Sequence, residues 1–216
     1  MGKLNMGILG GFSGTVGTVI GSSNKNGDDI IRAKSKKTRT SNTEAQVNQR
    51  TKFALVTQFL QMLNFLLRIG FKSVADLAGM SAYNYASKMA LNDAIVGTAP
   101  DFELDYSKVF ISKGGLAQVK SATAELAGDD VNFQWIDNEK GVREAADKAV
   151  LIVYNVVNFE LSYSIGEVTR GDLSGTLAIP NGEVGDKLLM FLFFQSATNA
   201  LMVSSSQFLG SVTTTV

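Results

Sequence analysis

The chain has 216 residues, of which 45% are hydrophobic and 19% charged, a composition typical of a folded globular protein. It contains no cysteine and no histidine, which excludes disulfides, thiol nucleophiles, zinc hydrolysis and Ser-His-Asp catalysis. Its 20 basic and 20 acidic residues cancel, but residues 1–100 carry 12 basic against 5 acidic, and residues 101–216 carry 8 against 15. A +7 half and a −7 half predict either contact between unlike ends of two copies, or a basic arm for nucleic acid or membrane.

Residues 1–40 form a glycine-rich region that ends in a basic run. β-Branched residues concentrate at 15–20 and 30–31, and Asn26-Gly27 between them is a turn signal, so we predict a β-hairpin or extended arm. A helix is the competing interpretation, because Ile8, Leu9, Phe12, Val16, Val19 and Ile20 share one helical face. Eight glycines, each costing up to ~1 kcal/mol in a helix, disfavour that interpretation. A phosphate-binding loop is disfavoured as well, because no Gly-Lys-Ser/Thr follows the glycines.

Residues 41–97 are predicted to be helical. Ser41 and Glu44 have the spacing of a capping box, and a long helix is expected to run to about residue 69, where Gly70 ends it. The second half of this helix is apolar nearly all round but too short and interrupted to span a bilayer. A second helix is predicted over 81–95, with Ser81 as its cap.

Residues 101–216 are predicted to form an immunoglobulin-like or fibronectin-III-like antiparallel β-sandwich, which makes the chain α+β. The predicted strands are 108–112, 119–126, 131–136, 149–156, 160–164, 174–179, 188–195 and 201–208. Residues 188–194 are apolar on both faces, so helices or another chain must cover both. Together with the apolar helix, this strand predicts apolar surface that a neighbouring copy would bury.

Three groups of residues could carry chemistry, and each has a plainer interpretation that we favour. Asp129, Asp130, Asp137, Glu139 and Asp147 could bind Ca²⁺, but their spacing matches no ligand loop and is typical of solvated turns. Trp135 could be a sugar platform, but its alternation with Val131 and Phe133 favours the core. The basic run at 32–39 could hold phosphates, but it lacks interleaved aromatics and better suits an acidic protein surface.

The chain also resembles a known family through four segments. They are Met1-Gly-Lys-Leu-Asn, the glycine-rich stretch at residues 7–23, Thr43-Glu-Ala-Gln-Val-Asn-Gln-Arg-Thr-Lys-Phe and Asp105-Tyr-Ser-Lys-Val. These segments are similar to an uncharacterised Bacteroidota family known as a domain of unknown function. The resemblance implies the architecture and a bacterial or bacteriophage origin, and it implies no activity.

We therefore expect a non-enzymatic structural protein, without catalytic, cofactor-binding or metal-ligating residues, that assembles head-to-tail with copies of itself as a filament, tube or virion component. The predicted assembly interface combines apolar and basic residues of the arm: Ile8, Leu9, Phe12, Val16, Val19, Ile20, Lys34, Lys36, Lys37 and Arg39. The alternatives are a sandwich module that binds glycan or protein, and a virion protein that contacts nucleic acid through residues 32–39. No signal peptide or transmembrane segment is visible, so we expect a cytoplasmic, virion or non-classically exported assembly without a small-molecule substrate.

Overall fold

The computed structural model of the chain describes residues 3–4, 11–23, 27–35, 43–138 and 140–214. The chain divides into two units, Met1–Thr43 and Glu44–Val216. We call them the arm and the body. Apart from residues 41–43, the predicted helical region (41–97) therefore shares the body with the predicted sandwich (101–216).

The arm contains one antiparallel sheet in the order β1-β2-β3-β4. Its strands are β1 (Lys3–Leu4), β2 (Phe12–Val16), β3 (Val19–Ser23) and β4 (Asp29–Ala33). The hairpin interpretation is confirmed by the β3–β4 pair, and the helical one is wrong for the described residues. The apolar run at 15–21 is two strands rather than one, because the chain turns at Gly17, whose φ of +57° favours glycine.

Four helices open the body. They are α1 (Glu44–Met62), α2 (Asn64–Gly70), α3 (Lys72–Leu77) and α4 (Ala82–Asp93). The single long helix predicted to reach residue 69 is wrong, because the chain bends by 84° between α1 and α2. Leu60 before the bend and Leu66 and Leu67 after it all lie in the same hydrophobic core. The cap of the next helix is confirmed: the Ser81 hydroxyl accepts from the backbone N–H of Asn84 at 3.2 Å, whereas Ser41 lies outside the described residues.

Within the described residues, no single helix has the length and hydropathy needed to cross a bilayer. The bent α1–α2 pair reaches that threshold only when both helices are counted together.

The segment between the helices and the sandwich differs from prediction. A hairpin of β5 (Ile95–Thr98) and β6 (Asp101–Leu104) precedes a 3-10 helix at Tyr106–Lys108. The strand predicted over 108–112 is wrong, because buried serines hold this segment instead of a partner strand. The backbone N–H of Ile111 donates to the Ser206 hydroxyl at 2.9 Å, and the Ser112 hydroxyl donates to the carbonyl of Ser204 at 2.7 Å.

Seven strands build the sandwich. They are β7 (Ser121–Ala127), β8 (Asp130–Ile136), β9 (Lys148–Asn155), β10 (Leu161–Thr169), β11 (Ser174–Ala178), β12 (Lys187–Gln195) and β13 (Gln207–Thr213). Six lie close to their predicted positions, and the last begins six residues later than the predicted strand 201–208.

The strand order defines the kind of sandwich. One sheet has the order β10-β9-β12-β13 and the other β11-β8-β7, and every pair within them is antiparallel. The fourth strand of the sandwich, β10, pairs with the third, β9. In immunoglobulin constant domains the fourth strand instead joins the sheet that contains the fifth. The pairing of β10 with β9 is the arrangement of fibronectin type III domains, so β10 is the outer strand of the four-stranded sheet.

The body has three layers: helices, the four-stranded sheet and the three-stranded sheet. Alternate residues of β12 face the two sides of the middle layer. Leu189, Phe191 and Phe193 pack with the helices, and Leu188, Met190, Leu192 and Phe194 pack with the second sheet. The prediction of a strand covered on both faces is confirmed, and the helices are what covers it. The expectation that these segments leave apolar surface for a neighbour is wrong for residues 188–194, which are buried, whereas Met62 and Phe65 of the helical segment remain 47% and 56% exposed.

Candidate assembly interface

The register of the arm sheet places most of its predicted apolar interface residues on one face. Val16 lies opposite Val19, Gly14 opposite Gly21, and Gly21 opposite Ile31. Opposite residues and every second residue along a strand share a face, so Phe12, Val16, Val19 and Ile31 form one apolar face. Phe12 lies across Gly21, where any side chain would collide with the Phe12 ring and carbonyl oxygen. We call this surface the arm face.

The arm sheet buries almost nothing of its own. Among residues 11–23, 27–35 and 43 of the arm, only Gly21 is buried. Val16 is 57% exposed and Ile31 67% exposed. β4 is an edge strand, and all five of its residues are exposed. A sheet with an open apolar face and an unpaired edge is a ready template for another chain.

The predicted interface residues divide into three groups. Phe12, Val16 and Val19 share the arm face, whereas Ile20 lies opposite Thr15 and Arg32 on the reverse face. Lys34 directly follows β4, where its backbone N–H donates to the carbonyl of Thr18 at 2.7 Å and its side chain is exposed. The remaining predicted residues lie outside the described part of the chain: Ile8, Leu9, Lys36, Lys37 and Arg39. The phosphate-loop alternative also begins in that part, and from residue 12 onward the described chain enters a strand rather than a helix.

Sequence reasoning missed an exposed edge on the body. β10 is the outer strand of its sheet, and its first five residues pair regularly with β9 before a bulge between Ile165 and Thr169. Beside this edge, the ring of Phe65 on α2 lies 6.0 Å from the ring of Tyr163 on β10. The two side chains are 56% and 45% exposed, respectively. No sequence signal links them, because about a hundred residues separate the two elements.

A buried charge cluster holds one end of the sandwich together. Arg170 is fully buried, and its Nε lies 3.3 Å from Oδ2 of the fully buried Asp147. Its Nη1 lies 3.2 Å from Asp137 Oδ1, and its Nη2 donates to the carbonyl of Ala117 at 2.8 Å. The guanidinium carbon lies 4.2 Å from the Phe194 ring centroid. Every polar group of the cluster is thereby used to connect loops and strands of the fold.

The acidic residues considered for Ca²⁺ have different roles. For Asp137 and Asp147 the solvated-turn interpretation is wrong, because both pair with Arg170. Asp129 lies in an exposed turn and Asp130 begins β8, while Glu139 is outside the described residues. Among the residues that the structure describes, no group of three acidic side chains could hold a metal ion.

A second buried carboxylate fixes the end of the last strand. The Asn155 side-chain amide donates to Asp186 Oδ2 at 2.7 Å, and the Glu183 backbone N–H donates to the same oxygen at 3.0 Å. These two hydrogen bonds lower the pKa of Asp186 below its ordinary value. The Asp186 backbone N–H in turn donates to the Thr214 hydroxyl at 2.9 Å. This carboxylate, too, is engaged in holding the fold.

Trp135 is a core residue, as favoured by its sequence pattern. It is 4% exposed, and its indole N–H donates to the carbonyl of Arg170 at 2.9 Å. Its ring meets Phe194 edge-on at 5.6 Å. A buried ring cannot serve as a sugar platform on the surface of the sandwich.

An aromatic cavity lies between α1 and the four-stranded sheet of the body. Its volume is about 250 Å³, and its lining includes Phe59, Phe102, Tyr106, Tyr154 and Phe159. The Tyr154 hydroxyl is buried and has no hydrogen-bond partner among the described residues. Burial, reinforced by the nearby Tyr106, raises the pKa of Tyr154 to about 12. The Tyr154 phenol therefore keeps its proton to a higher pH than an exposed tyrosine would.

The body and the arm together define the class of this chain: a fibronectin-III-like sandwich with a helical layer and a separate N-terminal sheet. The chain belongs to a family described as "Family of unknown function (DUF6266)", whose model matches residues 11–210. The match starts immediately before β2 and ends within β13, so it includes β2–β4 of the arm and most of the body. No curated protein matches the chain.

Proposed function

We propose that this protein is a non-enzymatic structural protein that assembles with copies of itself through its arm. The observation that carries the proposal is the arm sheet, whose apolar face and β4 edge are exposed while the body covers its own apolar strands. An isolated sheet with no packed face is marginally stable in water. A second copy that covers the arm face would remove its apolar side chains from solvent and stabilise the sheet.

The division of charge supports contact between unlike surfaces. Residues 1–43 carry 7 basic and 2 acidic residues, a net of +5, and residues 44–216 carry 13 and 18, a net of −5. An arm attracted to the body of another copy makes a heterologous contact, in which each copy offers one donor and one acceptor surface. Such contacts close into a ring or propagate as a filament. The attraction has a short range, since the Debye length is ~8 Å at physiological salt.

The buried polar groups support a structural rather than a chemical role. Arg170, Asp147 and Asp186 are the most enclosed ionic groups described, and each is held by partners that belong to the fold. The composition points the same way, because neither histidine nor cysteine is present for acid–base or nucleophilic chemistry.

Light scattering of the full chain over a concentration series, followed by negative-stain microscopy, tests the proposal. We expect particles much heavier than the 23.1 kDa chain, and regular rings or filaments on the grid. Ile31→Asp should abolish or strongly reduce assembly, because it places a charge on the arm face. Leu77→Asp is the matched control: Leu77 lies on α3 and is 88% exposed, so the same change there should leave assembly intact. A monodisperse monomer at every concentration would overturn the proposal.

A further inference from the structure

The edge of β10 has the geometry to accept a strand. Its regular part, residues 161–165, is five residues long and ends at the bulge. It contains no lysine or proline, two of the residues with which proteins protect an edge strand from pairing. β10 meets the second sheet further along, where Val168 packs against Gly175, so that contact leaves the first half of the edge open.

The hydrogen-bonding direction of this edge follows from its pairing with β9. The Asn155 backbone N–H donates to the Glu160 carbonyl at 2.9 Å. Because hydrogen-bonded pairs recur at every second residue, Ser162 and Ser164 point their backbone groups toward β9. Leu161, Tyr163 and Ile165 therefore point theirs away from the sheet.

The edge of β4 is complementary in length and direction. It also has five residues, and the bond from the Lys34 backbone N–H to the Thr18 carbonyl fixes its alternation. Arg32 and Ile30 point their backbone groups toward β3, so Asp29, Ile31 and Ala33 point theirs outward. Both edges thus offer three outward-pointing residues at alternate positions.

We propose that β4 of one copy adds antiparallel to β10 of a second copy, with Ile31 opposite Tyr163. This inference rests on the proposed self-assembly and names its acceptor surface. The same register places Ala33 opposite Leu161 and Asp29 opposite Ile165, and each of these three pairs exchanges two backbone hydrogen bonds.

The side chains favour this register over its neighbours. Opposite residues share a face, so Ile31 packs on Tyr163 and beside Phe65, which covers exposed apolar surface on both copies. One step further along, Lys34 lies opposite Glu160, which places unlike charges together. A shift by two residues would pair Lys34 with Ser162 and lose this contact.

Each copy carries one β4 edge and one β10 edge, so the contact is heterologous. A copy that donates its arm still has its own β10 edge open for the next arm. Growth by this route requires no other interface, and main-chain hydrogen bonds run through every junction.

Disulfide trapping between two single-cysteine variants tests the register, because the natural chain has no cysteine. Arg32→Cys and Ser162→Cys face each other in the proposed arrangement as a non-hydrogen-bonded pair, whose Cα separation of roughly 4.5 Å suits a disulfide. The two variants, with different tags, are mixed under assembly conditions and oxidised. We expect a mixed dimer of two 23.1 kDa chains on a non-reducing gel. A cross-link within one chain is impossible, because each chain has a single cysteine.

Ile30→Cys mixed with Ser162→Cys is the matched control, since Ile30 lies on the same face as Arg32 but two residues away. We expect at least about tenfold less mixed dimer from this pair, because its Cα separation exceeds the disulfide range. Equal or greater yield from the control would overturn the register. Dimers of Arg32→Cys with itself, in place of mixed dimers, would indicate β4–β4 pairing and also overturn the inference. In both cases the self-assembly measured by light scattering would remain supported. A monomeric natural chain would instead refute the proposed function itself.

Charge reversal provides a second measurement. Lys34→Glu should slow assembly, and Glu160→Lys should do the same, because each places like charges opposite one another. The double variant should regain much of the natural rate, and all three differences should shrink as salt rises. Failure of the double variant to recover, when both single variants are slow, would contradict the Lys34–Glu160 contact.

Discussion

The body and the arm both contain apolar strands, but the body buries the apolar residues of its strands whereas the arm leaves some of them exposed. In the body, β12 is apolar on both faces, and the helices and the second sheet cover it. In the arm, the apolar residues are fewer, yet Val16 and Ile31 remain more than half exposed. The most hydrophobic strand of the body is therefore covered within the chain, whereas Val16 and Ile31 of the arm are not. An interface is marked by apolar residues that the chain leaves uncovered, and only the packing reveals those.

The largest expected effect is the difference in free energy of unfolding between a variant of the body and a variant of the arm. Phe191→Ala should lower the free energy of unfolding by ~4 kcal/mol, because it leaves a cavity where the ring packs against Phe59 and Phe208. Ile31→Ala should change it by less than ~0.5 kcal/mol while weakening assembly. Urea unfolding followed by circular dichroism, under conditions that keep both variants monomeric, measures the difference. A large loss for Ile31→Ala would mean that the arm face is part of the cooperative core.

The buried ion pair should give the next largest effect. Asp147→Asn leaves the fully buried Arg170 without its fully buried carboxylate partner and should cost ~3 kcal/mol in the same measurement. Asp129→Asn is the control, because Asp129 is exposed in a turn of the same sandwich and its loss should change little. Assembly of the folded Asp147→Asn protein should be unchanged, since the cluster lies beyond the bulge that ends the proposed acceptor edge at residues 161–165. Equal stability of both variants would show that the cluster adds nothing to the fold.

The smallest expected effect concerns the cavity of the body. Tyr154→Phe should raise the free energy of unfolding by ~1 kcal/mol, because it removes a buried hydroxyl that has no partner. A destabilised Phe variant would instead show that the hydroxyl is hydrogen-bonded in solution. Tyr163→Phe, whose ring is on the surface, should change stability by less than ~0.5 kcal/mol.

The same residue predicts a loss of stability at alkaline pH. The pKa of Tyr154 is raised from 10.0 to about 12, so the folded protein holds this proton more tightly than the unfolded chain. The corresponding contribution to stability is complete below pH 10.0 and is lost as the pH rises toward about 12. The free energy of unfolding, measured across this pH range, should fall less steeply for Tyr154→Phe than for the natural chain. Parallel curves would contradict the raised pKa.

Local patterns of the chain predicted most elements of the fold. The alternation of Val131, Phe133 and Trp135 identified β8 and its buried face, and Ser81 identified the start of α4. The two-faced apolar run at 188–194 correctly required cover on both sides. Each of these signals depends on residues within one element, where side-chain period and capping are local properties.

The errors fall where distant contacts decide. The bend after α1 has no glycine or proline to announce it, and it forms because buried residues on both sides of Leu63 share one core. The segment at 109–112 has the composition of a strand but is held by serines nearly a hundred residues away. Arg170 was missed for the same reason: its carboxylate partners are 23 and 33 residues away along the chain.

The sequence by itself determined the α+β class, six of the seven sandwich strands, the division of charge and the absence of histidine and cysteine chemistry, because these follow from residue types and short periods. Part of the candidate interface was also predictable, since Phe12, Val16 and Val19 do share one face of the arm sheet. Only the tertiary structure decided that β12 and the helices bury each other's apolar side chains, and that Ile20 faces away from the arm face. It also decided that β10 is an open edge beside Phe65. Which apolar groups a chain leaves in water depends on how its elements pack, and packing joins residues that are far apart in the sequence.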